Sequence, residues 1–315
     1  MRIVVLAGGI GGARFLVGVR AYAREVGADV TAVVNVGDDV RLHGLQICPD
    51  LDSVMYTLGG GADPERGWGR VGETWTVKDE LAAYGAEPTW FGLGDRDIAT
   101  HLVRTTMLNA GYPLSAVTEA LCTRWQPGVR LLPATDDRLE THAVTDVDGQ
   151  QRAIHFQEWW VRHRGAVPTH RFVFVGADAA RPAPGVLDAL AEADVVLLAP
   201  SNPVVSIAPI LAVAQLREAL VTNRAPVVGV SPIINGAPVR GMADRCLAVV
   251  GVPCDAAGVG ALYGSRSAGG VLDAWLVDST DADTEVPGVT VGAAPLWMTD
   301  ETTTATMVRA ALELV

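Results

Sequence analysis

The chain has 315 residues, of which 49 % are hydrophobic and only 19 % are charged. This composition excludes an intrinsically disordered protein, and the length predicts one α/β core that carries a smaller inserted or appended lobe. With 24 basic and 36 acidic residues the net charge is −12, which argues against nucleic acids and anionic membrane surfaces as partners. An anionic small molecule would therefore have to be bound by helix N-termini, by a few arginines or by a divalent metal.

Cysteine usage and hydropathy favour a cytoplasmic protein. The four cysteines include no Cys-x-x-Cys pair, which argues against a zinc cluster and indicates a reducing compartment. No charged and then apolar leader precedes the first strand, so we expect no signal peptide. The most apolar stretch, Val195 to Leu216, is interrupted by Pro200, Pro203 and Pro209, which is typical of a strand, a loop and a helix rather than of a membrane span.

Short apolar runs followed by polar loops predict parallel strands. Ile3 to Leu6 and Val30 to Val34 flank an amphipathic helix, and Val195 to Leu198 and Val227 to Val230 belong to a second alternation of strands and helices. We therefore predict an α/β fold with a doubly wound, mostly parallel, Rossmann-like sheet.

The middle of the chain has a different pattern, which predicts a small inserted α+β lobe. Residues 111–169 would form this lobe, and residues 1–110 and 170–315 would form the nucleotide-binding core. Alternating apolar and polar residues on either side of Asp148 and Gly149 predict a β-hairpin within the lobe.

The loop after the first strand is rich in glycine. Backbone N–H groups at a helix N-terminus bind phosphate, and a tight turn with close helix packing is the simpler alternative. The match to the dinucleotide fingerprint is imperfect, since Arg14 stands where the third glycine would fall and Asn35 stands where an acidic residue would bind the ribose. The loop therefore predicts a phosphate site without implying NAD. Its glycines are Gly8, Gly9, Gly11 and Gly12.

Carboxylates crowd the region after the second strand. Such oxygen ligands suit Mg²⁺, which bridges to substrate phosphates. Alternatively, Asp50 or Asp52 could cap a helix that begins nearby. The four carboxylates are Asp38, Asp39, Asp50 and Asp52.

A second polar group follows the apolar run Trp90 to Leu93, which predicts a strand ending at Gly94. Asp97 and His101 are four positions apart and could simply pair on a helix. The polar residues of this group are Asp95, Arg96, Asp97 and His101.

Hydroxyl and amide groups follow two later strands. They could bind a phosphate or the edge of a base, or could only cap a helix. No P-loop and no Gly-x-Ser-x-Gly elbow is present, which excludes P-loop NTPases and α/β-hydrolases. The residues are Ser201, Asn202, Ser206 and Ser231.

Taken together, these motifs resemble the 2-phospho-L-lactate transferase family over nearly the whole chain. The resemblance is carried by Gly8-Gly9-x-Gly11, Asn35-x-Gly37-Asp38-Asp39, Pro49-Asp50-Leu51-Asp52, Gly94-Asp95-Arg96-Asp97-x-Ala99-Thr100-His101, His155-Phe156-Gln157, Pro200-Ser201-Asn202-Pro203-x-x-Ser206-Ile207 and Ser231-Pro232-Ile233-Ile234.

The resemblance implies an enzyme of coenzyme F-420 biosynthesis. Such a transferase joins a guanylylated three-carbon phospho-acid to the ribityl hydroxyl of 7,8-didemethyl-8-hydroxy-5-deazariboflavin and releases GMP. It implies Mg²⁺ as cofactor and catalysis mainly by positioning and charge neutralisation. The inserted lobe would help to form the acceptor site.

The resemblance also implies roles for individual residues. The implied catalytic residues are Asp39, Asp52, Asp95 and Arg96. The implied acceptor-binding residues are Asp50, Asp52, Arg96 and His101. The implied metal ligands are Asp39, Asp50 and Asp52. The implied donor-binding residues are Gly8, Gly9, Gly11, Gly12, Asn35, Ser201, Asn202, Ser206 and Ser231.

Several alternatives stay open from the sequence. The donor could carry an enolpyruvyl, a lactyl or a glyceryl group. Lys78 is the only lysine, and this bias toward arginine favours the actinobacterial, enolpyruvyl kind. The main rival is a non-enzymatic UDP-sugar-binding regulator of the gluconeogenesis-factor type, and a nicotinamide dehydrogenase is weakened by Arg14 and Asn35. A homodimer is the default assembly.

Overall fold

The computed structural model describes all 315 residues as a set of strands and helices that alternate along most of the chain. The strands β1 to β14 are Arg2–Ala7, Asp29–Val34, Val40–Leu42, Leu45–Ile47, Arg130–Pro133, Glu140–Val147, Gln150–His155, Thr169–Val175, Val195–Leu198, Val227–Val230, Ile233–Ile234, Ala237–Pro238, Ala274–Asp278 and Thr290–Ala294. The helices α1 to α11 are Gly9–Val26, Pro49–Leu58, Thr76–Ala83, Asp95–Asn109, Leu114–Trp125, Val186–Ala191, Ala208–Ala212, Ala214–Thr222, Ala243–Val249, Ala256–Tyr263 and Glu301–Leu312.

Seven strands form the central sheet in the order β14-β13-β10-β9-β1-β2-β5. Every neighbouring pair is parallel, with Ile3 opposite Val30 on one side and opposite Val195 on the other. The inner strands are buried apolar runs, as expected for a sheet that is covered on both faces. The predicted doubly wound, Rossmann-like α/β fold is confirmed.

The strand order places a crevice at one edge of the sheet. The chain runs outward from β1 to β2 and β5, and it later returns to the other side of β1 with β9 and β10. The loops after β1 and β9 therefore leave in opposite directions, and ligands of open α/β sheets bind at such switch points.

A separate three-stranded antiparallel sheet has the order β7-β6-β8. The predicted hairpin is confirmed, since β6 pairs with β7 across a turn in which Asp148 and Gly149 both have positive φ. This sheet spans residues 140–175. Strand β5, which falls within the predicted lobe bounds of 111–169, instead pairs with β2 in the central sheet, where Leu131 and Leu132 are buried.

The strand predicted over Trp90 to Leu93 is wrong, because these residues form an irregular loop before α4. Trp90 and Phe91 pack edge to face, and Leu93 is buried in a small cluster with Leu42 and Ile47. This short apolar run has no neighbouring strand with which to pair. It belongs to residues 59–94, here called the cover segment, which include α3.

No single helix is long and apolar enough to cross a membrane. Residues Pro203–Ala212 and Ala214–Thr222 pass that test only as a pair, and they are bent by 90° at the break between them. Their apolar side chains, such as Ile210 and Leu216, are fully buried in the protein.

Helix α1 is fixed against α11 by a close backbone approach. A Cβ atom at Gly18 would lie 2.6 Å from the backbone carbonyl carbon of Thr304. Phe15 and Val19, on the same helix, are fully buried against the sheet. Because backbone atoms cannot rotate away as side chains do, the helix pair leaves room only for glycine.

We expect Gly18→Ala to lower the free energy of unfolding by about 1–2 kcal/mol. Alanine stabilises an exposed helix by roughly 1 kcal/mol relative to glycine, but here the steric overlap of its Cβ with α11 costs more than that gain. Urea denaturation would measure the change. Val26→Ala, at the exposed end of the same helix, is the control and should change the stability by less than about 0.5 kcal/mol. Equal stability of Gly18→Ala and the parent protein would contradict this packing.

Candidate active site

A cavity of about 750 Å³ lies over the switch point, at the carboxyl edge of the central sheet. The glycine loop, the first turns of α2 and α4, the cover segment and the loops after β9 and β10 contribute to its walls. The predicted site residues that line it are Gly8, Gly9, Gly11, Asp50, Asp52, His101, Ser201, Asn202, Ser206 and Ser231. Those that do not line it are Gly12, Asn35, Asp39, Asp95 and Arg96.

The glycine loop is packed tightly against the loop after β9. The backbone N–H of Gly8 donates to Ser201 Oγ at 3.1 Å, and that hydroxyl donates to the carbonyl of Gly8 at 2.8 Å. A Cβ at Gly11 would lie 2.6 Å from the carbonyl oxygen of Pro200. Close packing thus explains part of the glycine pattern, and the N–H groups in the first turn of the 18-residue helix α1 border the cavity.

Asn202 caps the short turn that follows β9. Its side-chain oxygen accepts from the backbone N–H of Val204 at 3.0 Å and from that of Val205 at 3.3 Å. The capping alternative is therefore confirmed for Asn202. The same side chain lines the cavity.

Asp38 and Asp50 form a buried carboxylate pair around one amide. Asn35 Nδ2 donates to Asp50 Oδ2 at 2.8 Å and lies 3.4 Å from Asp38 Oδ1. Gln157 Nε2, from the segment after β7, is 3.4 Å from Asp38 Oδ2. Neither carboxylate forms an ion pair with a basic side chain.

Burial makes the ionised form of this pair unfavourable. It raises the pKa of Asp38 well above its ordinary value, and the nearby charges of Asp50 and Asp39 raise it further. Burial also raises the pKa of Asp50 to about 6, although hydrogen bonds from Asn35 and the backbone of Gly9 oppose the shift. The pair therefore favours a proton or a cation, and its oxygen atoms fit a divalent metal.

Asp39 is buried and does not line the cavity. Burial raises the pKa of its carboxyl group, and its Oδ1 atom is buried without a hydrogen-bond partner. Its backbone carbonyl accepts a hydrogen bond from His155 Nε2 at 3.0 Å, which ties the loop after β2 to the antiparallel sheet.

Asp52 differs from Asp50 because it already has a cationic partner. Arg104 of α4 is fully buried and donates to both carboxylate oxygens of Asp52. Sequence patterns did not reveal Arg104, although its spacing from Asp97 and His101 puts all three on one helix face. Ligand atoms of Asp52, Asp97 and His101 lie within 4.8 Å of one another, a spacing that could hold a metal.

Asp95 and Arg96 organise the cover segment. Asp95 accepts hydrogen bonds from the backbone N–H groups of Thr76 at 3.1 Å and Val77 at 3.0 Å, so it caps the start of α3. Arg96 is exposed, and its backbone carbonyl accepts from Arg70 at 2.7 Å. Both residues thus lie where they attach the cover segment to α4.

Aromatic and basic side chains complete the cavity wall. Trp68 and Phe91 come from the cover segment, and Trp160 comes from the turn after β7. Arg14 and Arg240 bring guanidinium groups to an otherwise acidic protein. Such a wall fits a ligand that has both a planar ring system and negative charge.

Residues 3–303 match the family described as 2-phospho-L-lactate transferase CofD. A phosphoenolpyruvate transferase of Nocardia farcinica is 67 % identical over 316 residues, covering 99 % of this chain and 94 % of the relative. Phosphoenolpyruvate transferases of Mycolicibacterium smegmatis and Streptomyces coelicolor are each 61 % identical and cover 100 % of this chain and 98 % of their own.

Solved structures of a UPF0052 family protein from Bacillus halodurans share the fold. They are 18 % identical to this chain, with TM-scores of 0.61 and 0.62, and cover 99 % and 98 % of both chains. At this identity the likeness is informative about architecture alone.

The pKa of Asp50 predicts a specific dependence of stability on pH. Its value rises from an ordinary 3.8 to about 6 on folding, so the folded state binds the proton more tightly than the unfolded chain does. This group therefore makes the protein less stable as the pH rises from about 4 to about 6, by at most about 3 kcal/mol, with no further loss above that range.

Asp50→Asn removes this titration, so the variant should gain stability over the parent protein between pH 4 and 6. Urea denaturation in the presence of a chelator would measure the difference at each pH. Asp255→Asn, at the cap of α10, is the matched control and should follow the parent protein. A difference between Asp50→Asn and parent that does not change with pH would contradict the shifted pKa.

Proposed function

This chain belongs to the 2-phospho-L-lactate transferase CofD family, a family of transferases of coenzyme F-420 biosynthesis, and from that premise we propose its reaction. The enzyme transfers a phosphoenolpyruvyl group from enolpyruvyl-diphospho-5'-guanosine to the ribityl hydroxyl of 7,8-didemethyl-8-hydroxy-5-deazariboflavin. The products are dehydro coenzyme F-420-0 and GMP. The family match over residues 3–303 and the relatives at 62 % and 67 % identity confirm, at the level of the family, the resemblance inferred from the sequence motifs.

One observation carries the proposal: a single switch-point cavity joins a helix N-terminus, an unneutralised carboxylate pair and an aromatic wall. The first turn of α1 and the loops after β9 and β10 suit the guanosine diphosphate part of the donor, because they offer N–H and hydroxyl groups. Trp68 and Phe91 in the cover segment suit the flat deazaflavin ring. The two substrates would then meet over Asp50.

The electrostatics of the carboxylate pair support Mg²⁺ as the cofactor. Asp50 belongs to the metal set implied by the resemblance, and Asp38 is its buried neighbour without a cationic partner. Asp52 is held by Arg104, and Asp39 does not border the cavity, so we propose Asp38 and Asp50 as the residues that would hold the ion. When bound there, Mg²⁺ would neutralise charge on the diphosphate.

The chemistry needs positioning more than covalent participation by the protein. The ribityl oxygen forms a bond to the phosphorus atom that carries the three-carbon group, and the bond from that phosphorus to the oxygen of GMP breaks. The hydroxyl proton is released. N–H groups of α1 would stabilise the leaving phosphate, and the cover segment would exclude water from the reacting atoms.

The donor is the finer part of the proposal. Relatives at 61 % and 67 % identity are phosphoenolpyruvate transferases, which favours the enolpyruvyl donor over the lactyl donor. The UDP-sugar-binding regulator is not favoured, since the UPF0052 structures support only the fold. A cytoplasmic homodimer remains our expectation for the assembled enzyme.

We expect the purified protein with Mg²⁺ to release GMP and form dehydro coenzyme F-420-0 from the enolpyruvyl donor and the fluorescent deazaflavin. Asp50→Asn should lower kcat/KM by at least ~100-fold, because a group acting on transition-state charge is worth several kcal/mol. Liquid chromatography of GMP and of the deazaflavin product would measure both rates.

Asp255→Asn serves as the control and should retain the parent rate. Faster turnover of the lactyl donor would reassign the donor but keep the reaction. No turnover of either donor, together with stabilisation by a UDP-sugar, would instead favour the regulator.

A further inference from the structure

The wall between α2 and α4 contains a chain of buried polar groups to which the proposed reaction assigns no role. Asp97, His101 and Arg104 lie on one face of α4, and Asp52 and Tyr56 face them from α2. Asp52, Tyr56, Asp97 and His101 line the cavity. Arg104 lies behind them and is only 1 % exposed.

The contacts of Arg104 determine which nitrogen of His101 carries the proton. Arg104 Nη1 lies 3.0 Å from His101 Nδ1. A guanidinium group can only donate hydrogen bonds, so Nδ1 must accept and cannot carry a hydrogen. The proton of the neutral imidazole therefore sits on Nε2, which is 3.3 Å from Asp97 Oδ2.

The other oxygen of Asp97 accepts a hydrogen bond. The hydroxyl of Tyr56 donates to Asp97 Oδ1 at 2.5 Å. Burial alone would raise the pKa of Asp97, but the contact with His101, the hydrogen bond from Tyr56 and the charge of Arg104 outweigh it and lower the pKa. Asp97 is thus an oriented carboxylate that stays ionised.

Asp97 is also the carboxylate of this cluster that keeps capacity for a ligand. Both oxygens of Asp52 accept from Arg104, whereas the Asp97 side chain is 17 % exposed and borders the cavity. A carboxylate offers about four lone-pair sites, of which Tyr56 and His101 approach two.

A metal ion is a poor occupant of this wall. Asp52, Asp97 and His101 are close enough to share one, but Arg104 already bonds to Asp52 and to Nδ1 of His101. The guanidinium group of Arg104 already neutralises the carboxylate that a metal ion would bind. Asp97 therefore faces the cavity as a hydrogen-bond acceptor, which suits a hydroxyl group of the ligand.

We propose that Asp97 binds a hydroxyl of the ribityl chain and orients it toward the donor, and that Arg104 is a positioning residue that acts through His101. This inference rests on the proposed function, because that function supplies the polyhydroxyl acceptor. The hydroxyl donates to the Asp97 carboxylate, while Tyr56 and His101 hold that carboxylate in place.

The first test separates binding of the acceptor from binding of the donor. Asp97→Ala should raise the KM of the deazaflavin by ~10- to 150-fold, the value of one hydrogen bond to a charged group, and should leave the KM of the donor within about 2-fold. Deazaflavin fluorescence anisotropy would report the same loss of affinity without turnover. Asp255→Asn is again the control.

The second test reads the tautomer directly and does not depend on activity. The ¹⁵N spectrum of the parent protein should show His101 Nδ1 without and Nε2 with a proton, assigned by difference from His101→Asn. The double variant Asp52→Asn, Arg104→Gln removes both buried charges together and so avoids an unpaired carboxylate. It should lose the fixed tautomer and raise the acceptor KM.

The outcomes distinguish this inference from the proposed function. A parent protein that turns over no substrate refutes the function. A parent protein that is active, combined with an unchanged acceptor KM in Asp97→Ala, refutes the role of Asp97. A proton on Nδ1 of His101 in the parent protein refutes the role of Arg104.

Discussion

The close approach of three chain segments to Gly8 is the constraint on which the site depends. A Cβ atom there would lie 2.6 Å from Asp50 Oδ2, 2.8 Å from Ser206 Cβ and 3.1 Å from Asn35 Cβ. These neighbours belong to α2, to the segment after β9 and to the loop after β2, so one missing side chain lets three parts of the chain converge on the loop after β1. The switch-point cavity, the start of α1 and the carboxylate pair all depend on that convergence.

Two neighbouring carboxylates on α2 show how differently the protein treats buried charge. Asp52 is neutralised by Arg104, which also orients His101. Asp50, two residues earlier, has only an amide and a backbone N–H as partners, and its pKa rises to about 6. The ion pair of Asp52 and Arg104 is part of the packed wall between α2 and α4. An ionised Asp50 without a cationic partner is unfavourable until it binds a cation or a proton, and such carboxylates are typical of functional sites.

Much of the fold could be predicted because its signals are local. Buried apolar runs such as Ile3 to Leu6 predict parallel strands wherever they occur, and Asp148-Gly149 predicts a hairpin turn without long-range information. The strand predicted over Trp90 to Leu93 is wrong because its formation is not a local matter. A strand needs a neighbouring strand to pair with, and four apolar residues do not reveal whether one is nearby.

The sequence by itself determined the α/β class, the family and the loops in which the site residues lie, because motif order and hydrophobic period are written along the chain. Only the tertiary structure decided which side chains reach the cavity. Asp95 and Asp97 are two positions apart, yet one caps α3 and the other faces the ligand space. Their helix rotates about 100° per residue, so neighbours in sequence point to different surroundings, and only packing against α2 and the cover segment distinguishes them.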